Sequence, residues 1–298
     1  MRTFSLFKIF FFIVVGIFFL NACQSKKMPS PPQYDLSAPS SVTIPSELKN
    51  ISGITFFKGN ASMIYAIDEN QGSVYCYYPS LHNVVKSSFD MTGPFEDLAI
   101  MDSSIYVLKN TGTIYSFPMK SMGKAKLDTF WTYADFFPKG TYEAMYYADS
   151  SRKLVVINKT KSSDSRLTRC YTFNIDEQGV PHKSNSFVIY WSTIEKKLKK
   201  ERIKGFHPTA IAQNPKTKEW YIISDNEKIL FVLDNNWHPS RAYPLDSTVF
   251  SKPQGMAFDN NGDLYIANDG TAKSAPNLKV FPYINRSASS VSQEENED

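Results

Sequence analysis

The chain has 298 residues, 42% of them hydrophobic and 14% aromatic, with 33 lysines and arginines against 29 acidic residues. Its formal charge of +4 falls further if Arg2 and Lys8 are removed with an export signal, so the composition argues against a nucleic-acid partner. Three cysteines do not make a disulfide framework, and the length suffices for one large all-β domain or two small ones.

The first 22 residues predict a signal peptide. Arg2 and Lys8 form a short basic start, and the apolar run that follows ends at Leu20. This run is shorter than the roughly 20 apolar residues of a membrane-spanning helix. The tetrapeptide Leu-Asn-Ala-Cys at 20–23 resembles the lipobox of bacterial lipoproteins, which implies that Cys23 is diacylated and becomes the mature N-terminus. An uncleaved signal anchor is the alternative.

The segments on either side of the folded region have polar, low-complexity compositions. Residues 23–40 are rich in Ser, Pro, Lys and Gln without apolar periodicity, which predicts a flexible tether. Residues 284–298 end in Glu-Glu-Asn-Glu-Asp and predict a disordered acidic tail. No acidic cluster follows Cys23, so we expect an outer-membrane lipoprotein with its domain, residues 41–283, in the periplasm.

One pattern of short apolar and aromatic strands, separated by polar turns, recurs five times along the chain. Equivalent positions at the start of the units are separated by 44, 47, 66 and 45 residues and are occupied by Gly53, Asp97, Ala144, Ala210 and Gly255. A period near 45 with three or four strands per unit predicts an all-β, five-bladed β-propeller. A six-bladed ring with one degenerate unit in the longest step is the alternative.

Closure of the ring is predicted to involve the N-terminus. The last unit lacks an outer strand, and the segment 41–45 belongs to no unit, so pairing the two removes exposed sheet edges. Cys76 and Cys170 lie in strands of different units, which predicts two separate buried thiols. The insertion at 192–205 is interpreted as a solvated helix, with a basic helix touching anionic lipid or a partner as the alternative.

Motifs in register at 51–55, 95–99, 142–145, 253–259 and 262–267 resemble the SdiA-regulated (YjiK-like) family of β-propellers over residues 45–283. The resemblance implies a five-bladed propeller with a bound calcium ion, distantly similar to NHL-repeat propellers. The chain has Ser52, Thr209 and Gln254 where the family often has glutamate, and Asp97 and Ala144 where glycine is usual.

Equivalent positions of the blades converge at one end of a propeller channel, so Glu96 and Glu143 are expected to lie close together. Two such carboxylates repel each other, and a hard cation with six to eight oxygen ligands removes the conflict. The sequence therefore predicts a Ca²⁺ site with further oxygens from Gln254, Thr209 and Asp97. Acidic and amide residues at strand ends are second candidates, although turn formation explains them equally well; these are Asp68, Asp225, Asp269, Asn158 and Asn268.

No motif of a nucleophile elbow, a zinc protease, a phosphate-binding loop or a dinucleotide fold is present in the sequence. His207 is the only histidine at the start of an inner strand, and a solvated loop position is expected for it. We therefore predict a monomeric binding or scaffold module for a small molecule or an envelope protein, attached to the membrane through Cys23. A metal-dependent hydrolase of esters, lactones or phosphoesters is the alternative.

Overall fold

The alternating apolar runs of the five repeats form five antiparallel sheets of four strands each. The computed structural model describes residues 27–159, 166–200, 202–271 and 274–285. Blade 1 contains β2 (Ile51–Phe56), β3 (Ile64–Asp68), β4 (Ser73–Tyr78) and β5 (Asn83–Ser88). Blade 2 contains β6 (Phe95–Met101), β7 (Ser104–Lys109), β8 (Ile114–Pro118) and β9 (Trp131–Tyr133).

The remaining blades repeat this order of strands. Blade 3 contains β10 (Thr141–Ala148), β11 (Lys153–Lys159), β12 (Leu167–Ile175) and β13 (Pro181–Tyr190). Blade 4 contains β14 (Pro208–Gln213), β15 (Trp220–Ser224), β16 (Ile229–Leu233) and β17 (Pro239–Pro244). Blade 5 contains β18 (Pro253–Phe258), β19 (Leu264–Asn268), β20 (Asn277–Phe281) and the N-terminal strand β1 (Ser40–Thr43).

The ring is closed as the sequence predicted. Strand β1 pairs antiparallel with β20, with Ser40 opposite Val280 and Thr43 opposite Asn277. The innermost strands β2, β6, β10, β14 and β18 each contact the next one around the axis, and β18 contacts β2. The five-bladed propeller is confirmed, because there are five sheets around the axis and the first and last parts of the domain share one of them.

The six-bladed alternative is wrong. The extra length of the longest repeat step lies within and just after blade 3, where β12 and β13 have nine and ten residues. A helix, α1 (Trp191–Leu198), follows β13 and buries Trp191 and Ile194 while its lysines Lys196 and Lys197 stay exposed. The insertion is thus a helix with one buried face, and no helix in the described ranges is long and apolar enough to cross a membrane.

The hydrophobic core lies between the blades rather than within them. Five clusters of buried apolar side chains occur, and each joins one pair of neighbouring blades. Cys76 and Cys170 are buried free thiols in two different clusters, as predicted. Burial between sheets explains why both faces of each blade are apolar while the hairpin loops are polar.

The flexible tether predicted for residues 23–40 is not free over the part that the structure describes. Tyr34 and Leu36 are buried and join the cluster between blades 4 and 5. Two apolar side chains among polar residues and prolines gave no periodicity in the sequence, yet both are buried against the propeller. Cys23, the signal peptide and residues 286–298 lie outside the described residues, so lipidation and the acidic tail stay predictions.

Candidate functional site

Each innermost strand carries a β-bulge at the same position. The register of every inner strand shifts by one residue beside its neighbour, and the extra residues are Ser52, Glu96, Glu143, Thr209 and Gln254. A bulge bends the strand and redirects the side chain of the extra residue. The fivefold repetition therefore brings the predicted site residues to one end of the channel, which we call the bulge end.

Glu96 and Glu143 interact at the bulge end, as the sequence predicted. Burial, together with the nearby charges of Glu143 and Glu69, raises the pKa of Glu96 to about 8. Glu143 forms an ion pair with Lys159 at the end of β11, and burial raises the pKa of Glu143 in spite of that pair. The Lys159 ammonium therefore occupies the position beside Glu143 that was predicted for a cation.

Asp97, which the sequence predicted as an additional metal ligand, has both carboxylate oxygens bonded to the backbone. Its side chain is buried, its Oδ1 accepts a 2.8 Å hydrogen bond from the backbone N–H of Leu98, and its Oδ2 accepts one of 2.8 Å from Met145. Burial raises its pKa well above the ordinary value. Gly53 leaves the necessary space, because a Cβ there would lie 2.2 Å from Asp97 Oδ1. Asp97 therefore joins blade 2 to blade 3.

The neutral residues predicted as ligands also have structural partners. Thr209 Oγ1 donates a 2.9 Å hydrogen bond to the carbonyl of Pro253, and Ser52 Oγ donates one of 2.8 Å to the carbonyl of Glu96. Both bonds join adjacent blades. The side-chain amide of Gln254 donates to Asp225 over 3.3 Å. The polar residues at these bulges therefore form hydrogen bonds that connect adjacent blades.

The second candidates at strand ends are engaged as well. Asp68 Oδ1 accepts hydrogen bonds from the backbone N–H groups of Asn70 and Gln71, as an Asx turn requires. Lysines pair with the other carboxylates, Lys228 with Asp225 and Lys252 with Asp269. The two amides also donate hydrogen bonds: Asn158 to the carbonyl of Thr141, and Asn268 to the carbonyl of Val249 and to the side-chain oxygen of Asn277.

His207 is half-buried rather than in a solvated loop, so that expectation was wrong. Its side chain is 24% exposed, and Nδ1 lies 2.7 Å from Glu227 Oε1. The hydrogen bond to Glu227 raises the pKa of His207, in spite of burial. Although burial opposes it, hydrogen bonding to His207 and Ser224 lowers the pKa of Glu227. With Nδ1 held, the Nε2 atom of His207 is the ring nitrogen left for another partner.

The donors at the bulge end do not fit the predicted calcium ion. Within residues 27–159, 166–200, 202–271 and 274–285, no group of three or more His, Cys, Asp or Glu side chains could hold a metal ion. Calcium needs six to eight oxygen ligands. The carboxylates of Glu143, Asp225 and Asp269 are paired with lysines, and that of Asp97 is bonded to the backbone. The charge balance at this end comes from lysines of the chain itself.

The opposite end of the channel, which we call the cavity end, contains an open cavity of about 440 Å³. Its base consists of five buried apolar side chains, each two positions after a bulge: Ile54, Leu98, Met145, Ile211 and Met256. Alternate residues of a strand point to the same face. The next residues on that face form the wall of the cavity: Phe56, Ile100, Tyr147, Gln213 and Phe258.

Charged groups of this cavity lie at its rim, on the hairpins that follow the inner strands. Lys58, Asp149 and Lys218 are exposed and line the opening. Burial raises the pKa of Asp149, and the positive charge of Lys58 partly offsets this increase. Asp259 also contributes to the lining, but its carboxylate accepts hydrogen bonds from Asn261 and from the backbone of Asp263. The base of the cavity is therefore apolar, and polar and charged groups line its upper part and its entrance.

The sequence interpretation missed three features of these two ends. Of the counter-ions, Lys228 lies three residues from Asp225, so its position alone could have suggested pairing, whereas Lys159 and Lys252 lie 16 and 17 residues from Glu143 and Asp269 and pair with them through the fold. Glu227 stands 20 residues from its partner, and its contact with His207 depends on the fold. The residues of the cavity wall lie at every second position of each inner strand after the bulge. This alternation is visible in the sequence and could have identified them.

The comparisons with known proteins support the fold alone. The chain matches no protein-family model and no curated protein. Among solved structures, it is similar to the glutaminyl cyclase of Myxococcus xanthus, with 11% identity, 83% of this chain and 96% of that chain covered, and a TM-score of 0.53. It is also similar to the PQQ-bound aldose sugar dehydrogenase of Streptomyces coelicolor, with 10% identity, 85% and 99% coverage, and a TM-score of 0.53.

A calcium-binding protein, regucalcin from Agrobacterium tumefaciens, is a more distant structural neighbour. It is 12% identical over 76% of this chain and 68% of its own, with a TM-score of 0.43. At such low identity the two similarities with a TM-score of 0.53 show the fold alone and leave the activity open, because one fold supports many functions. The chain is a five-bladed β-propeller whose structural neighbours include binding proteins and enzymes, and membership of the SdiA-regulated family stays a prediction.

Proposed function

We propose that the chain is a ligand-binding module of the bacterial cell envelope and that its ligand occupies the cavity at the cavity end. The observation that carries the proposal is the cavity itself, about 440 Å³ in volume and open to solvent. Small-molecule sites are concave, mainly apolar and about 300–1,000 Å³ in volume, with a few polar groups that orient the ligand. The volume of this cavity lies within that range, its base is apolar, and charged groups stand at its rim.

The lining of the cavity supports binding rather than catalysis. It contains neither histidine nor cysteine, and its buried carboxylate, Asp259, is held in a turn. A nucleophilic or acid–base mechanism needs a nucleophile or base within hydrogen-bond reach of the reacting atom. These residues can select a ligand by its shape and by its contacts with the rim.

The envelope location in this proposal depends on the lipobox. We propose that Cys23 carries the acyl chains and that the domain stands on the periplasmic side of the outer membrane. Labelled palmitate should be incorporated by cells that express the chain, and Cys23→Ser should remove both the label and the membrane association. Incorporation that persists in Cys23→Ser, or a wild-type chain without label, would overturn the anchor and leave the cavity proposal standing.

A hydrolase at the bulge end is the second candidate function, favoured by the pair of His207 and Glu227. Glu227 fixes the Nδ1 side of the imidazole, so Nε2 is positioned to accept a proton from water that attacks an ester, lactone or phosphoester. A panel of such substrates tests this candidate. Turnover that is lost in His207→Ala and reduced in Glu227→Gln supports hydrolysis, whereas no turnover by the wild-type chain rejects it for the panel.

A cavity-filling substitution tests the main proposal. Ile100 is partly exposed in the wall, so Ile100→Trp places an indole in the cavity, and Ser150→Trp obstructs the rim. We expect both to weaken the binding of an anilinonaphthalene sulfonate dye at least about tenfold, equivalent to about 1.4 kcal/mol. Leu81→Trp, at a residue 70% exposed on blade 1, is the matched control and should leave binding unchanged. Equal dye affinity in all four proteins would contradict the proposed site.

A further inference from the structure

The segment that precedes the propeller is attached to a defined place on it. The Tyr34 hydroxyl donates a 2.6 Å hydrogen bond to the carbonyl of Gly262 and accepts one of 2.7 Å from the side-chain amide of Asn214. Leu36 is fully buried in the same apolar cluster. The backbone N–H of Ile284 donates to the carbonyl of Gln33, so the two terminal segments are joined here as well.

This attachment lies at the cavity end of the channel. Asn214 and Gly262 belong to the hairpins that follow the inner strands β14 and β18, and other residues of the same hairpins line the cavity. The segment then turns back on itself, because the N–H of Met28 donates to Ser37 Oγ over 2.7 Å. Lys27 also approaches Asp35 to 3.7 Å. The first described residue therefore stays beside the cavity end.

The length of chain between this residue and the predicted anchor limits the orientation of the domain. Cys23 and Lys27 are four residues apart, and an extended chain spans about 3.5 Å per residue, so the link is at most about 14 Å long. An inner strand of six residues is about 20 Å long. A propeller with its bulge end against the membrane would place Lys27 farther from the bilayer than this link can reach.

We propose that the propeller stands with its cavity end facing the bilayer and that the cavity accepts the apolar chain of an anionic membrane amphiphile. The ligand assignment rests on the proposed function, in which the cavity is the binding site. Its apolar base suits the chain of the ligand, and the ammonium groups of Lys58 and Lys218 at the rim suit an anionic head group. The carboxylate of Asp149, also at the rim, disfavours a ligand head group with a second negative charge.

Orientation is tested with the lipidated chain in vesicles that contain nitroxide-labelled lipid. Cys76 and Cys170 are buried, so a fluorophore can be attached selectively to Ser150→Cys at the cavity rim or to Thr111→Cys in the hairpin after β7 at the opposite end. We expect the label at 150 to be quenched several-fold more strongly than the label at 111. Equal quenching, or stronger quenching at 111, would overturn the orientation.

The ligand class is tested separately with a series of n-alkyl carboxylates from octanoate to dodecanoate and the unlipidated full chain carrying Cys23→Ser. Each buried methylene should lower the dissociation constant about fourfold until the cavity is filled. Lys58→Glu and Lys218→Glu should each weaken binding several-fold, whereas Lys49→Glu on an exposed loop outside the cavity is the matched control. A dissociation constant independent of chain length would contradict the amphiphile assignment.

The two experiments separate the failure of this inference from the failure of the proposed function. If Ile100→Trp removes dye binding but alkyl carboxylates bind without chain-length dependence, the cavity is a ligand site and the amphiphile assignment is wrong. If neither dye nor carboxylates respond to Ile100→Trp, the proposed function is wrong, whichever label is quenched. Stronger quenching of the label at 111 than of the label at 150, together with carboxylate binding that depends on chain length, would refute only the orientation.

Discussion

The two ends of the propeller channel differ in how their polar groups are used. At the bulge end, the carboxylates of Glu143, Asp225 and Asp269 are paired with lysines, and Asp97 accepts hydrogen bonds from two backbone groups. At the cavity end, the charged groups stand at the rim and the interior is lined by apolar and aromatic side chains. The end richer in charge thus contains ion pairs within blades and the Asp97 connection between blades, and the less charged end has space for a ligand.

This contrast shows why convergence of acidic residues is weak evidence for a metal site. Buried carboxylates need a partner, and a lysine, a backbone N–H or a cation can each supply it. The fold supplies lysines and backbone donors. A ligand site is indicated instead by space that the side chains leave unfilled, which is a property of packing and not of charge.

The largest effect that would test this contrast is expected at Asp97. Asp97→Ala leaves the N–H groups of Leu98 and Met145 without their acceptor in a buried place and should lower the free energy of unfolding by about 3 kcal/mol. Urea denaturation measures the change. Asp90→Ala, which removes an exposed ion pair with Lys126, is the control and should cost less than about 1 kcal/mol. A similar small loss at Asp97 would mean that it does not tie the blades together.

A smaller effect, with a definite pH dependence, is expected at Glu96. Its pKa is raised to about 8, so the folded protein retains a proton that the unfolded chain loses near its ordinary pKa of 4.5. The stability contributed by this proton is present below about pH 4.5 and is lost as the pH rises towards 8.

Glu96→Gln should remove this dependence. The variant should be more stable than the wild-type chain by about 1–2 kcal/mol at pH 9, and the difference should vanish near pH 4. Thermal unfolding from pH 4 to 9 measures it, with Glu177→Gln on the exposed surface as the control. Parallel stability curves for Glu96→Gln and the wild-type chain would show that Glu96 does not hold a proton at the bulge end.

The attachment of the N-terminal segment at the cavity end predicts a loss of about 1 kcal/mol in Tyr34→Phe. The substitution keeps the buried ring and removes the hydrogen bonds to Gly262 and Asn214. Tyr190→Phe, at a tyrosine that is 58% exposed, is the matched control and should change the free energy of unfolding by less than about 0.5 kcal/mol. Equal effects of the two substitutions would indicate that the segment is not held at this place.

The smallest effect is expected from calcium. An ion at a hundred times its dissociation constant would stabilise the folded state by about 2.7 kcal/mol, which shifts the unfolding midpoint by several degrees. Because Glu143, Asp225 and Asp269 at the bulge end are already paired with lysines, we expect a shift below about 1 °C between EDTA and 1 mM Ca²⁺. A rise of several degrees that disappears in Glu143→Gln would restore the calcium site predicted from the sequence.

The fold could be predicted from the sequence because a repeat multiplies a weak local signal. Five copies in register identified the blades, and the unpaired segment at 41–45 identified the closing strand, observed as β1 (Ser40–Thr43). The convergence of Glu96 and Glu143 followed from the same repeat, since equivalent positions meet at the axis. The bulges themselves were not foreseen, because a bulge is a property of pairing between two strands.

The details of the site could not be predicted, since they depend on contacts between repeats. Nothing in the local sequence shows that Asp97 reaches the backbone of Met145 or that Glu227 orients His207. Tyr34 and Leu36 were assigned to a tether because two apolar residues among prolines and serines form no pattern. Their burial is decided by the gap between blades 4 and 5, which exists only after the ring has closed.

The most direct test of the ligand site is a crystal structure of the chain with bromine-labelled dodecanoate. We predict anomalous density inside the cavity between Phe56, Tyr147 and Phe258, with the carboxylate near Lys58 or Lys218. Density at the bulge end beside Glu96 and His207, with the cavity empty, would contradict the account.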